Sequence, residues 1–359
     1  MHTMKNKLLI LLVLLSPLYS NAQYNKVGEI DNLRSDYRIL FYNVENLFDT
    51  KDDSLKNDAE FLPQGVKYWT WKRYQDKCTK IAKIIMAVGG WELPEIVGLC
   101  EVENKRTLNG ILYATPLKKA NYQIIHKESP DHRGIDVALL YQPDRFFPID
   151  TTFLKLKYNN SSYSTTREIL YVKGATHTDD TLHVFVNHWP SRWGGQLESE
   201  HKRVSAAQLL KHKVDSIFHD NTKAKVIIMG DFNDYPNNKS ITKTLNAIEP
   251  DNIILNDQLY NLASVLKKKS SIASNKYKGI WGMLDQFIVS GALLNSNGIL
   301  QTNKNNMFIF APDYLLETDV SYKGKRPFRT YIGYKYHGGF SDHLPVYLDL
   351  WRTLNDENK

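Results

Sequence analysis

The sequence predicts an α/β protein in which two β-sheets pack face to face and helices cover the outer faces. Ten strand-like apolar runs are spread along the chain, and several hold three or more consecutive apolar residues, as in Val226-Ile227-Ile228-Met229. Such runs are typical of strands that are covered on both faces of a sheet. Helical spacing lies between them, with no repeat, low-complexity tract or Gly/Ser- or Pro-rich linker. We therefore expect one large domain over residues 23–359.

The strand-like runs leave room for two long helices. The runs lie at about 37–42, 96–100, 122–126, 135–141, 169–175, 182–188, 225–229, 283–289, 306–310 and 345–351. Apolar residues recur every three to four positions from Trp71 to Val88 and again from Val204 to Ile217, which predicts a helix that ends at Gly89-Gly90 and another over about 197–218. The charged segment 49–64 and the Lys- and Ser-containing segment 267–281 predict loops.

The first 22 residues have the pattern of a secretory signal peptide. Lys5 and Lys7 precede an almost wholly apolar run from Leu8 to Leu18, and Ala22 is a small residue suited to cleavage. The alternative is an anchoring helix, but a bilayer needs ~20 apolar residues and this run offers about ten. We therefore expect an exported protein, periplasmic or secreted, with no stable membrane insertion, and we expect it to be a monomer.

The charge balance is mildly basic, which suits a polyanionic partner without requiring one. The formal net charge is +7, and residues 1–22 carry two lysines and no acids, so the rest of the chain carries 7 − 2 = +5. A nucleic acid substrate fits this value, although solubility alone also explains it. Cys78 and Cys100 are the only cysteines, which excludes a disulfide scaffold and a thiolate metal cluster. The sequence leaves open whether they pair or remain buried thiols.

Polar side chains stand at the ends of six strand-like runs, where catalytic residues are commonly placed. These side chains are Asn43, Glu101, His188, Asp231 with Asn233, Asp285, and Asp342 with His343. We expect them to share one pocket. Carboxylates and amides without thiolates suit Mg²⁺, or Mn²⁺ or Ca²⁺ in its place, better than structural zinc. Imidazoles beside such a cation suit the hydrolysis of a phosphate ester.

Taken in chain order, these residues resemble the endonuclease/exonuclease/phosphatase superfamily, which includes pancreatic deoxyribonuclease and neutral sphingomyelinases. The resemblance spans about residues 37–351. Within the superfamily, the sequence is similar above all to secreted bacterial members. Three runs carry it: Tyr42-Asn43-Val44-Glu45-Asn46-Leu47-Phe48-Asp49, Asn187-His188-Trp189-Pro190-Ser191-Arg192 and Gly338-Gly339-Phe340-Ser341-Asp342-His343. It implies a four-layer α/β/β/α, deoxyribonuclease-like sandwich.

The resemblance also implies roles for the acids and amides. Glu101 would be the principal Mg²⁺ ligand, with Asn43 beside it and Asp342 completing the metal environment. Asp231 would hold and activate the attacking water, and Asn233 would donate a hydrogen bond to the scissile phosphate. An Asx turn after the strand is also good chemistry for this segment, and it is compatible with these roles.

For the histidines, the resemblance implies two different tasks. His343, oriented by Asp285, would contact the phosphoryl oxygens, while His188 would stabilise the transition state or assist the leaving group. Asp136 resembles the acid that pairs with the second histidine, here His188. An acid at the start of a strand can instead bind its own backbone.

Two arginines are candidates for substrate binding. Arg192 lies in a Gly-rich loop just after His188 and could fork onto a phosphate, although a solvated loop arginine has the same sequence pattern. Arg329 belongs to a stretch, 323–336, that interleaves cations with aromatic rings. That pattern is typical of single-stranded nucleic acid binding, and it also fits a hairpin with aromatic cross-strand pairs.

The predicted function is therefore an exported Mg²⁺-dependent phosphodiesterase, most simply a nuclease that cuts DNA or RNA by attack of water on phosphorus. The alternative is a phosphoesterase that acts on lipid head groups, inositol phosphates or other small phosphate esters. A binding module that has lost catalysis is a third hypothesis, which the complete set of polar residues disfavours.

Overall fold

The computed structural model describes residues 36–157, 166–295 and 299–352. The predicted signal peptide, residues 1–22, lies outside this part of the chain. Within the described ranges, no helix combines the length and the apolar character that crossing a membrane requires.

The strands are numbered in chain order. They are β1 (Tyr37–Leu47), β2 (Ile96–Val102), β3 (Gln123–His126), β4 (Asp136–Tyr141), β5 (Phe146–Leu154), β6 (Ile169–Thr176), β7 (Thr181–His188), β8 (Lys225–Asp231), β9 (Ala247–Ile248), β10 (Leu259–Asn261), β11 (Asn275–Tyr277), β12 (Ile280–Gly282), β13 (Asp285–Ser290), β14 (Leu300–Gln301), β15 (Met307–Ile309), β16 (Leu316–Thr318), β17 (Lys325–Pro327), β18 (Tyr331–Ile332), β19 (Lys335–Tyr336) and β20 (Val346–Arg352). The helices are α1 (Trp71–Gly89), α2 (Lys105–Tyr113), α3 (Gln196–Asp220), α4 (Leu262–Lys269) and α5 (Gly291–Leu294).

Two seven-stranded mixed sheets form the centre of the protein. The first has the order β14-β20-β1-β2-β4-β3, with β15 also paired to β20, and the second has the order β5-β6-β7-β8-β13-β10-β9. One apolar core, which includes Phe41, Val184 and Phe287, lies between the sheets. Two further cores pack α1 and α2 on the first sheet and α3 on the second. The predicted two-sheet sandwich with helices outside is confirmed.

Helix α1 follows the predicted spacing closely. Tyr74, Cys78, Ile81 and Val88 are buried, and they recur on the face that packs on the first sheet. Gly90 ends the helix with φ of 67°, and its N–H donates to Met86 O. Trp71 differs from the expectation, because it is the first residue of the helix and remains 55% exposed.

The sequence missed α2, α4 and β5. Helix α2 has only nine residues, and its start depends on a side-chain cap in which Asn104 accepts from Thr107 N. Strand β5 contains Pro148 and four exposed positions, Phe147, Ile149, Asp150 and Thr151, as expected for the last strand at an edge of the second sheet. The segment 267–281, predicted as a loop, contains the end of α4 and the β11–β12 hairpin.

The two cysteines are free and buried. Cys78 lies on α1, where it packs against the outer face of the first sheet, and Cys100 lies in β2, where it belongs to the core between the sheets. Because the two thiols belong to different cores, they do not form a disulfide. Of the two alternatives that the sequence left open, the structure has the buried free thiols.

Glu95 provides a pH-dependent contribution to stability. Its carboxylate is buried and accepts from Arg38 N at 2.7 Å, and burial raises its pKa to about 7. The unfolded value is about 4.3, so the contribution is fully present below that pH and is lost as the pH rises through 7. We expect Glu95→Gln to match wild type near pH 4 and to exceed it above pH 8 by on the order of 3 kcal/mol in the free energy of unfolding.

Urea unfolding at pH 4, 6 and 8 measures this difference. Glu128→Gln, at an exposed acid outside the helices and strands, is the matched control and should follow wild type at every pH. Equal stability of Glu95→Gln and wild type at pH 8 would contradict the expectation.

Candidate active site

The strand registers bring the polar residues to one end of the sandwich. In the second sheet, His188 of β7 lies beside Asp231 of the parallel strand β8, and Asp231 pairs with Asp285 of the antiparallel strand β13. In the first sheet, Asn43 of β1 lies beside Cys100 of the parallel strand β2, just before Glu101. The carboxyl ends of the parallel pairs thus meet the beginning of an antiparallel strand.

A side-chain contact joins the two sheets at this end. Asn43 Nδ2 donates to Asp231 Oδ2 at 3.1 Å and faces Glu101 Oε1 at 3.3 Å. The chain before β20 adds His343, whose Nε2 is 3.8 Å from Asp231 Oδ2. Glu101, Asp231 and His343, which are far apart in sequence, therefore belong to one cluster.

A β-bulge directs Glu101 into this cluster. The β2–β4 register shifts between Cys100 and Val102, and Glu101 has φ of 63°, a left-handed conformation that is uncommon for a residue with a long side chain. Cys100 packs in the core between the sheets, whereas Glu101 accepts from Asn46 N at 2.9 Å. The bulge thus separates a core residue from a functional residue at the end of the same strand.

His343 and Asp285 form a tightly paired dyad. His343 Nδ1 and Asp285 Oδ2 are 2.6 Å apart, and both residues are buried. Burial alone would lower the pKa of His343, but Asp285 and Asp231 outweigh it and raise this pKa well above its ordinary value. Nδ1 of the imidazole is thus bound to Asp285, and Nε2 faces Asp231.

His188 has the opposite electrostatic environment. Burial, together with the cationic Arg167, Arg133 and His343, lowers its pKa well below the ordinary value. Its Nε2 is 3.9 Å from both Glu101 Oε1 and Asp231 Oδ2, and its buried Nδ1 has no hydrogen-bond partner among the described residues. The neutral ring with its proton on Nε2 fits these contacts best.

Asp231 and Asn233 lie on the turn that follows β8. Asp231 Oδ1 accepts from Asn233 N at 2.9 Å, which is the Asx turn that the sequence suggested. Burial raises the pKa of Asp231 to about 6. Asn233 Nδ2 donates to Trp189 O at 3.0 Å, so one of its two amide hydrogens remains for another acceptor.

The residues that were expected around a metal ion offer oxygen donors on one side of the cluster. The side chain of Glu101 is 16% exposed and that of Asp342 is 28% exposed, so both carboxylates reach the opening of the site. Buried Glu45 adds a third carboxylate beside Asp342, and burial raises its pKa. A surplus of acid built from hard oxygen donors fits a divalent cation such as Mg²⁺.

Asn43 differs from its predicted role as a ligand. Its Oδ1 accepts from Glu45 N at 3.0 Å, so the amide nitrogen, not the oxygen, faces Glu101 and Asp231. Asn43 therefore orients the two carboxylates. Asp231, Asp285 and His343 also place one ligand atom each within 4.8 Å of one another. The short Asp285–His343 contact identifies that group as an oriented histidine with a neighbouring acid and not as a cation cage.

Arg329 lies against the acidic side of the site. Its Nη2 is 3.1 Å from both Glu45 Oε1 and Asp342 Oδ2, and its side chain is 39% exposed. Burial acts to raise the pKa of Asp342, but Arg329, His343 and Lys77 outweigh burial, and the pKa is lowered. Asp342 is thus kept ionised, and the remaining exposure of Arg329 suits its predicted contact with substrate.

Arg192 does not face the opening as the sequence suggested. Its Nε donates to Asn233 O at 2.7 Å, its Nη2 donates to Asn238 Oδ1 at 3.1 Å, and its guanidinium lies 4.1 Å from the ring centroid of Tyr235. These contacts use most of the guanidinium donors within the protein. Arg192 therefore holds the loop that carries Asn233 and is a positioning residue.

Asp136 is not the partner of His188. Its Oδ2 is 3.0 Å from His126 Nε2 and its Oδ1 accepts from Ser129 N at 2.9 Å, because β4 pairs with β3 and brings Asp136 close to the end of that strand. The expected pairing is thus wrong, and Asp136 is buried away from substrate.

Sequence reasoning missed the residues that hold the turn after β8. Asp234 is buried and binds Arg203 Nε at 2.7 Å and Ser240 Oγ at 2.6 Å, and Arg203 itself is fully buried on α3. An arginine in line with Ala207 and Leu210 on the apolar face of the predicted helix was the available signal. Arg167, which donates to Trp189 O at 2.8 Å, had no such signal.

The stretch 323–336 folds as hairpins. Strand β17 pairs with β16, and β18 pairs with β19 so that Tyr331 lies opposite Tyr336, with ring centroids 5.4 Å apart. The aromatic cross-strand pair that the sequence offered as an alternative is confirmed. It does not exclude substrate binding by the exposed side chains of these hairpins.

A two-sheet sandwich with acids, an amide and two unlike histidines at one end defines a phosphoesterase-type hydrolase. The chain belongs to the endonuclease/exonuclease/phosphatase family, whose model matches residues 38–352. Members of this family are hydrolases of phosphate esters or phosphodiesters, and they typically use divalent metal ions. The comparison with curated proteins found no match.

Solved structures with the same fold include the catalytic domain of human Nocturnin with bound sulfate, at 17% identity and a TM-score of 0.52, covering 88% of this chain and 94% of that one. A mannosyl-6-phosphatase from Bacteroides thetaiotaomicron is 15% identical with a TM-score of 0.54, covering 88% and 99%. Truncated TDP2 from Caenorhabditis elegans is 16% identical with a TM-score of 0.52, covering 88% and 97%. At these identities the likeness shows the fold.

Proposed function

We propose that the protein is an exported, Mg²⁺-dependent phosphodiesterase that cleaves nucleic acid. The carrying observation is the convergence of two histidines on Asp231: Nε2 of His343 lies 3.8 Å and Nε2 of His188 lies 3.9 Å from Asp231 Oδ2. Asp285 and Asp231 raise the pKa of His343, whereas burial and nearby cations lower the pKa of His188. Two imidazoles of unlike basicity around a carboxylate suit attack of water on a phosphodiester.

Four side chains of the site have defined tasks in this proposal. Asp231 accepts the proton of the attacking water, while protonated His343 donates from Nε2 to a phosphoryl oxygen. Neutral His188 donates from Nε2 as negative charge develops on phosphorus or on the leaving oxygen. The free amide hydrogen of Asn233 binds a further phosphoryl oxygen.

Glu101 and Asp342 are the residues that would hold Mg²⁺, with Glu45 and Asn43 orienting them. The ion would supply Lewis-acid stabilisation of charge on a phosphoryl oxygen, which is worth several kcal/mol. Arg329, between Glu45 and Asp342, would contact the phosphate backbone beside the scissile bond.

An activity panel tests the proposal. The purified protein should hydrolyse bis-p-nitrophenyl phosphate, an oligonucleotide and plasmid DNA in Mg²⁺, and EDTA should abolish each activity. RNA and sphingomyelin complete the panel, with Mn²⁺ and Ca²⁺ as alternative ions. Hydrolysis of sphingomyelin or of small phosphate monoesters alone would instead support the small-ester alternative, and no hydrolysis of any substrate would refute the phosphodiesterase proposal.

Export is part of the proposal and has its own test. If residues 1–22 act as a signal peptide, the mature protein expressed from the full sequence begins at Gln23 and is recovered outside the cytoplasm. N-terminal sequencing of the recovered protein distinguishes cleavage from retention of the apolar run. Gel filtration tests whether the protein is a monomer.

A further inference from the structure

Two segments beside the site pack together and form an aromatic–basic surface. One is the approach to α1 and its first turn, residues 66–73, and the other is the β18–β19 hairpin. Lys67 Nζ lies 5.0 Å from the Tyr331 ring centroid and 5.5 Å from that of Tyr334, and Tyr331 Oη donates to Lys67 O at 3.0 Å. The guanidinium of Arg73 lies 4.3 Å from the Tyr336 ring centroid. These contacts hold the two segments in one place.

Three aromatic rings of this surface are exposed. Tyr68 is 64% exposed, Trp71 55% and Tyr334 68%. We call Tyr68, Trp71 and Tyr334 the aromatic platform. Single exposed apolar residues are ordinary on a protein surface, whereas here three large rings lie on two segments that pack together.

The backbone keeps Tyr68 in an unfavourable conformation. Its φ is 49°, a left-handed conformation that is strained for a residue with a bulky side chain. Arg73 Nη1 donates to Tyr68 O at 2.8 Å and Thr70 N donates to the same oxygen at 2.9 Å, which fixes this conformation. The fold thus spends stability on a turn that leaves a tyrosine ring exposed.

Exposed cations alternate with the rings of the platform. Lys72 follows Trp71 and Lys335 follows Tyr334, and both lysines are exposed. Glu60 is already 3.7 Å from Lys67 and is the acid partner within the surface. Rings that can stack with bases, next to cations that can bind phosphates, match the two components of a single-stranded nucleic acid.

The platform lies within reach of the site. Arg329 contacts Glu45 and Asp342, and Tyr334 follows it by five residues, so the chain separates them by at most roughly 17 Å. A strand whose scissile phosphate lies at Asp231 and His343 can therefore extend past Arg329 onto the platform within a few nucleotides.

We propose that the aromatic platform of Tyr68, Trp71 and Tyr334 binds the unpaired bases of a single-stranded DNA or RNA substrate next to the scissile phosphodiester. This inference rests on the proposed function and specifies its substrate. A lipid surface fits less well, because exposed lysines stand next to the rings, whereas membrane-inserting surfaces present a continuous apolar face.

The test compares binding with small-substrate hydrolysis. Wild type, the variants Trp71→Ala and Tyr334→Ala, and the triple variant with Tyr68→Ala are titrated in EDTA against fluorescein-labelled (dT)20 and (rU)20. Stacking of one base is worth about 1–3 kcal/mol, so each single change should raise Kd by roughly 5- to 150-fold. Hydrolysis of bis-p-nitrophenyl phosphate in Mg²⁺ should stay unchanged, because that substrate is too small to reach the platform.

Trp91→Ala is the matched control. Trp91 is fully exposed and lies just beyond the other end of α1, roughly 28 Å along the helix axis from Trp71. This variant should bind oligonucleotides as wild type does. If oligonucleotide affinity falls in the platform variants but not in Trp91→Ala, the loss is due to stacking at the platform and not to the removal of any exposed aromatic ring.

Each outcome decides between the inference and the proposed function. If the triple variant binds both oligonucleotides as tightly as wild type, the platform inference is wrong even when bis-p-nitrophenyl phosphate is hydrolysed. If wild type binds sphingomyelin–phosphatidylcholine vesicles and neither oligonucleotide, the surface is a membrane contact and the inference is also wrong. If the platform variants lose binding while wild type hydrolyses nothing, the platform binds single strands but not as a substrate, and the phosphodiesterase proposal falls.

Discussion

Replacing His343 by alanine should lower kcat on a phosphodiester by about 10²–10⁴, the contribution of one proton-transfer group. Its Nδ1 is 2.6 Å from Asp285 Oδ2 and its Nε2 is 3.8 Å from Asp231 Oδ2, and these two carboxylates raise its pKa well above the ordinary value. Burial lowers the pKa of His188, the other histidine of the cluster, so that ring is a weak substitute for the lost imidazole. The measurement is single-turnover hydrolysis of bis-p-nitrophenyl phosphate in saturating Mg²⁺.

A paired variant separates catalysis from folding. His343→Ala leaves the buried carboxylate of Asp285 without a partner, and breaking such a pair costs about 3–5 kcal/mol of stability. The double variant His343→Ala/Asp285→Asn removes that buried charge and should recover much of the stability without recovering activity. Asp285→Asn alone should lose nearly as much activity as the double variant, because residues that act as one unit are non-additive. Wild-type rates in a folded His343→Ala protein would discard the assignment.

Replacing Glu101 by glutamine should weaken the apparent affinity for Mg²⁺ by at least about 100-fold, because even residues that only orient a metal ligand are worth 10–100-fold. Glu101 is the carboxylate that the β2 bulge directs into the cluster, and Asn43 and Asn46 orient its two oxygens. Activity at limiting Mg²⁺ should fall in proportion and recover partly at high Mg²⁺. The metal titration is read from the rise in Tm with added Mg²⁺, which does not depend on turnover.

Asp215→Asn supplies the control for the metal titration. Asp215 is an exposed acid on α3 that pairs with Lys211, so its loss changes net charge by the same amount outside the cluster. It should leave both the Tm response and the activity curve unchanged. Identical Mg²⁺ titrations for Glu101→Gln and wild type would remove Glu101 from the metal environment.

The fold was largely readable from the sequence because both of its sheets are covered. Strands β7 and β8 were recognisable by their consecutive apolar residues, Val184-Phe185-Val186 and Val226-Ile227-Ile228-Met229, and α1 and α3 by their spacing. The elements that were missed lack a local signal of that kind. Strand β5 is an edge strand whose pairing with β6 compensates for its polar positions, and α2 depends on a cap.

The candidate site was likewise predictable only in part. Residues at strand ends, such as Asp231 and His343, follow from the strand positions and the resemblance, and the registers bring them together as expected. The hydrogen-bond partners of the side chains could not be predicted from the sequence. Asp136 binds His126 instead of His188, and Arg192 binds Asn233 O instead of facing the opening, because hydrogen-bond geometry of a few ångströms decides such choices.

The sequence by itself determined that both sheets are covered, the chain order in which strands end in polar residues, and the residue types that reach the site. It did so because apolar pattern and strand length are local properties. Only the tertiary structure decided which carboxylate each base or cation faces, and so the direction in which the pKa of each histidine is shifted. The reason is physical: burial and the neighbours within about 4–6 Å set a pKa, and those neighbours come from different strands. The aromatic platform belongs to the second group, because Trp71 lies in an apolar stripe by sequence but is the first residue of α1 and remains exposed.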